Sequence, residues 1–204
     1  MASKTEIGNR ALSKLGQPRI SNIDTDDTKP AKVIRYMWNI VRDAMLAKYP
    51  WSFALTRTQL AKDSVSPSWG YSNQYTLPTD YLALIEIKGN PDYRLESYNG
   101  GLRILTNEGS PLYILYIRRV ENTGEFDPMF VEAFATRMAF EGCEEMTQSN
   151  TKKQILAEEL KESIMAAYAN NAIQTLPQEL QGDAWIASRE SSVVYDDIDY
   201  NVSA

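Results

Sequence analysis

The stretch TKPAKVIRYMWNIVRDAMLAKYPWSF, residues 28–53, decides the fold. Val33, Ile34, Met37, Trp38, Ile40, Val41, Met45 and Leu46 recur at helical spacing, and Lys32, Arg35, Asn39, Arg42, Asp43 and Lys48 fill the opposite face. Asp27 or Thr28 is placed to cap this helix, and Pro30 falls in its first turn, where a missing N–H costs little. Pro50 disfavours helical backbone at Tyr49, so the helix ends there and Trp51-Ser52-Phe53 reads as strand. One amphipathic helix therefore joins a helical body to a β body, and the two must meet at its end.

Upstream, residues 3–15 read as a short helix. Ser3 and Glu6 have capping-box spacing, Ile7, Ala11, Leu12 and Leu15 share a face, and Gly16 with Pro18 stops it. Ile20 and Ile23 tuck the following loop inward. Asp24, Asp26 and Asp27 could hold calcium, but no loop glycine and no distal bidentate Glu accompany them. Carboxylates at a helix N-terminus are the simpler account.

Downstream, the period changes. Phe53 to Leu60, Tyr75-Thr76-Leu77, Leu82 to Ile87, Tyr93 with Leu95, Leu102 to Leu105 and Leu112 to Ile117 read as short strands. The breaks between them are Ser64 to Ser68, Pro78 to Asp80, Gly89-Asn90-Pro91, Asn99-Gly100-Gly101 and Asn107-Glu108-Gly109. Asp127-Pro128 opens a third helix with Val131, Phe134, Ala135, Met138, Ala139 and Gly142 inward. Residues 152–173 make a fourth, with Ile155, Leu156, Leu160, Ile164, Ala167, Tyr168 and Ala172 inward, antiparallel to the third. The fold class is α+β: a four-helix body (1–49 and 125–175), an inserted small antiparallel β sandwich or barrel (50–124), and an extended C-terminal arm (176–204). The arm has no regular period but carries Trp185, Ile186, Val193, Val194 and Tyr195 before an acidic end. Such a segment docks on a partner, packs on its own subunit, or stays in solvent.

Composition narrows the chemistry. With no histidine and one cysteine, Cys143, the chain has no Ser-His-Asp or Cys-His system, no usual zinc site and no intrachain disulfide. Cys143 is expected as a packed apolar residue. No apolar run approaches the ~20 residues that span a bilayer, and no signal-peptide h-region follows Met1, so a membrane role and secretion are not expected. A net charge of −6 disfavours a dedicated nucleic-acid binder but suits a conduit whose lining must not hold DNA. Cofactors and metals are not expected.

The sequence resembles the tail tubular protein A family, the head-to-tail adaptor (gatekeeper-ring) proteins of short-tailed bacteriophages. The resemblance rests on ALSKLGQPRI (11–20), RDAMLAKYPWSFA (42–54) with Arg57 and Leu60, YTLPTDYL (75–82), YIRRV (116–120) with FDPMF (126–130), and DAWIASR (183–189). Phe140, Glu141 and Gly142 depart from the blander Ala/Leu-rich third helix of that family. The resemblance implies a non-enzymatic structural virion protein, located in the tail neck and assembled in the host cytoplasm. Its implied partners are the portal protein, a tail nozzle protein similar to tail tubular protein B, and further copies of itself in a ring, commonly of twelve. DNA would pass through without specific binding. Pro50, Trp51, Phe53 and Arg57 would form the inter-domain junction, and Pro78 with Asp80 would shape a turn. Trp185, Ile186, Arg189, Val193, Val194 and Tyr195 would form the portal or neighbour interface.

Two other classes are compatible with the residues. One is a cytosolic scaffold or interaction protein. The other is a peptidoglycan hydrolase using two carboxylates about 5–10 Å apart, with Glu144 and Glu145 plus a β-domain acid as candidates.

Overall fold

A computed structural model of the chain describes residues 2–174. The portal-interface candidates Trp185, Ile186, Arg189, Val193, Val194 and Tyr195 lie outside the described residues. Helix α1 spans Lys4–Leu15 and α2 Lys29–Lys48; strands β1 Leu55–Leu60, β2 Asn73–Thr76, β3 Tyr81–Ile87, β4 Tyr93–Tyr98, β5 Gly101–Thr106 and β6 Leu112–Arg118 follow; α3 Pro128–Thr147 and α4 Asn150–Gln174 come last. Among the described residues the six strands all fall between α2 and α3.

Helix termini follow their sequence signals. Ser3 and Glu6 close the capping box of α1, and Gly16 at φ 70° donates its N–H to Leu12 and Ser13 carbonyls. Asp127 caps α3 through Met129 N–H at 2.8 Å. At the start of α2 Thr28 is the N-cap, one of the two residues expected there, but its side chain makes no capping bond, and Asp26 Oδ1 takes the Thr28 N–H at 3.3 Å. The chain leaves α2 extended at Tyr49, but Ser52–Ala54 is a 3-10 turn, and the strand begins only at Leu55. Phe53 is therefore not a strand residue. Its ring is drawn into an aromatic cluster that an extended backbone would carry it past.

Helix α3 is the central element, with α1, α2 and α4 each packed on it. The α3–α4 pair is antiparallel: Asp127 at the start of α3 accepts from Asn170 and Gln174 near the end of α4, each at 3.0 Å, while Glu144 meets Lys153 at the opposite end. Gly142 faces α2, where an added Cβ would lie 3.1 Å from Met37 Cε. Cys143 is fully buried.

Some positions expected inward are not. Ile40 on α2 and Ile155 on α4 are 63% and 60% exposed, and Ala172 is exposed, whereas Arg42 on the expected polar face is buried. In α4 Asn171 takes the inward position beside Ala172.

The strands form two antiparallel sheets, β1-β6-β3 and β2-β5-β4, so the β part is a sandwich of separate sheets and not a barrel. Strand β6 pairs Leu55 with Ile117 through Leu60 with Leu112 on one side, and β3, with register shifts at Tyr81/Ala83 and Leu84/Glu86, on the other. Tyr75 and Ile104 from one sheet share a core with Leu60, Ile87, Leu112, Ile114 and Tyr116 from the other. A second, larger core fills the helices and reaches Ala54, Ile117 and Val120. Among the described residues no helix is long and apolar enough to cross a membrane.

Candidate functional site

The α2 exit is where helices and sheets are locked together. Trp51 is buried and its Nε1–H donates to the Met45 carbonyl at 2.9 Å, satisfying one of the orphan acceptors of the α2 C-terminus. Its ring meets Phe130 edge-to-face at 4.9 Å and lies 5.4 Å from Tyr168. Phe53 packs on Phe126 at 5.7 Å and Phe130 at 5.1 Å. Tyr49 stacks on Tyr168 at 4.1 Å. Each such ring pair adds roughly 0.5–1.5 kcal/mol beyond its area burial.

Asn171 treats residues 50–52 as a strand edge. Its Oδ1 accepts Ser52 N–H at 2.8 Å and its Nδ2 donates to the Pro50 carbonyl at 3.2 Å. Pro50, Trp51 and Phe53 therefore meet at one place. Arg57 does not: it is exposed on β1, opposite Leu115, and makes no ion pair among the described residues.

A polar clamp ties α2 to the segment after β6. Asp43 accepts from Arg42 at 2.8 Å and from Arg119, just past β6, at 2.9 Å. Asp80 shapes the turn before β3, accepting Arg119 N–H on its carbonyl at 2.6 Å and Tyr116 O–H on its carboxylate at 3.0 Å. Burial, with that carboxylate, pushes the Tyr116 phenol up to about 12. The sequence signal for Asp43 and Arg119 was weak, because a charge on a helix face reads as solvated until its partner, 76 residues away, is seen.

Other candidates sit at the surface. Glu144 pairs with Lys153 at 2.8 Å, and that bond holds its carboxyl below the usual range, opposite to the raised value a general acid needs. Glu145 is exposed, and its carbonyl accepts from Lys29 at 3.1 Å. The acidic group before α2 is also engaged: Asp24 pairs with Lys4, Asp27 with Lys32 at 2.7 Å, and Asp26 accepts Ser21 N–H at 3.2 Å. Among the described residues no cluster could hold a metal ion.

Apolar side chains also face outward on two helices. Tyr36 and Ile40, one turn apart on α2, are 78% and 63% exposed; α4 exposes Ile155, Met165 and Ile173. No protein-family model and no curated protein matches the chain.

Proposed function

We propose that this protein is a non-enzymatic head-to-tail adaptor of a short-tailed bacteriophage virion, joining copies of itself into a ring between portal and tail nozzle. The resemblance in the sequence motivates the reading. The observation that carries it is that large apolar side chains are exposed on two helices of one subunit, Tyr36 with Ile40 on α2 and Ile155, Met165 and Ile173 on α4. A heterologous contact, one surface of a copy against another surface of the next, is what builds a closed ring. The aromatic and Asn171 clamp at the α2 exit supports it too, since a ring needs a subunit whose helices and sheets keep a fixed relation. The C-terminal arm would engage the portal, with Trp185 as the anchor.

Electron microscopy of the protein mixed with the portal of the same virus tests this. A continuous collar of density on the portal is expected. Particles that retain their genome and acquire nozzles without this protein would overturn the reading, as would turnover of peptidoglycan by the purified chain.

A further inference from the structure

The β2-β5-β4 sheet has an outward face that the cores do not use. Pairing sets Gln74, Leu105 and Arg94 in one cross-strand row and Thr76, Arg103 and Glu96 in the next, with Tyr98 opposite Gly101. Residues 64–71 arch over this face. One end is pinned by Asp63, whose N–H donates to Gln74 O at 2.9 Å and whose carboxylate accepts from Thr76 Oγ1 at 2.9 Å. The other is pinned by Ser72 N–H on Asn107 Oδ1 at 3.0 Å. Between arch and sheet lies a cleft of about 210 Å³, lined among others by Trp69, Gln74, Arg94, Glu96, Tyr98 and Arg103.

Three observations specify what it would hold. Trp69 is 82% exposed and meets no other ring among the described residues, while Tyr98, 48% exposed, has the Arg103 guanidinium 4.6 Å from its ring centre. Two aromatic side chains are thus presented to a ligand and not to the core. The charges are matched in pairs, Arg103 with Asp63 at 3.2 Å and Arg94 with Glu96 at 3.5 Å, so no net charge is left to draw in a phosphate. Gln74 is only 5% exposed, yet its side-chain amide makes no hydrogen bond among the described residues and stays open to the cleft. Such a group can bond to a ligand in the cleft in place of the water that reaches it there.

A pyranose ring meets all three conditions. Its C–H face is apolar and suits the negative face of an aromatic ring. Its hydroxyls both donate and accept, matching an amide, a guanidinium and a carboxylate set around it. The volume is below the roughly 300–1,000 Å³ of clefts that enclose drug-sized ligands, so it accommodates one sugar unit with the chain continuing outward.

We infer that the cleft between residues 64–71 and β4 binds one unit of a neutral polysaccharide, with Trp69 and Tyr98 as stacking faces and Gln74, Arg94 and Glu96 as hydrogen-bonding partners. This does not rest on the adaptor reading and stands or falls separately.

The test is a titration of the full chain, labelled at its tryptophan indoles, with cellobiose, lactose and N,N′-diacetylchitobiose, and in parallel with oligo(dT). The Trp69 N–H resonance is identified by its loss in Trp69→Ala, a change at an exposed side chain that leaves the cores intact. At least one disaccharide should move that resonance with an affinity insensitive to salt. Trp69→Ala should weaken binding about tenfold, the scale of one stacking face, and Glu96→Gln should weaken it without altering the circular dichroism. No shift with any of the three sugars up to about 50 mM, well past weak single-ring affinities, overturns the assignment. So does undiminished binding by Trp69→Ala, or salt-sensitive binding of oligo(dT) alone.

Discussion

Asn171 shows how a single side chain can stand in for backbone. From the inward side of α4 it supplies the donor and the acceptor that Pro50 and Ser52 would otherwise find in a neighbouring strand. Asn171→Ala should lower stability by about 1–3 kcal/mol, the cost of stranding buried polar groups, read as a lower urea midpoint with unchanged slope. Trp51→Ala removes a buried ring and should cost about 3–5 kcal/mol by the same measurement. Glu132 makes a residue-scale prediction about pH. Burial raises its carboxyl, but Arg10 at 3.0 Å and Lys14 at 2.8 Å outweigh burial and hold it below its ordinary 4.5. A depressed folded value stabilises above the unfolded value and is lost as pH falls through the folded one. Between neutral pH and about pH 3 the urea midpoint should therefore fall more for the native chain than for Glu132→Gln. An equal fall in both would show that this cluster does not tie α1 to α3.

At the scale of elements, α2 carries two kinds of information. Its boundaries were legible, because Pro30 and Pro50 constrain backbone directly and need no tertiary partner. Its faces were less so. Ile40 fits the apolar period yet points to solvent, and Arg42 falls on the polar face yet is buried against Asp43. Periodicity assigns an average direction to a stripe, while burial at its margins depends on which neighbour arrives. The exposed Tyr36–Ile40 row belongs to the proposed subunit contact. Tyr36→Asp with Ile40→Asp should leave urea stability within about 1 kcal/mol of the native chain, and should abolish the collar on the portal seen by electron microscopy. A collar formed normally by that variant would remove α2 from the interface.

For the whole molecule, the clamps at the α2 exit and two apolar cores are built from side chains within the described residues 2–174. A chain ending at Gln174 should therefore unfold cooperatively at a urea midpoint close to that of the full chain, and should fail to bind portal by sedimentation. Retained portal binding would locate the contact in the helical or β part.

The sequence by itself determined the order and approximate ends of the helices, the placement of the described strands between α2 and α3, and the buried state of Cys143. Proline, glycine and capping side chains act within a few residues, so those features are written locally. Only the tertiary structure decided that the strands divide into two sheets, that Phe53 turns in a 3-10 bend, and that Asp43 joins Arg119. It alone set an arch over a cleft of aromatic rings and paired charges. Those depend on contacts between residues far apart in the chain, and no local period encodes which distant side chain will come within reach.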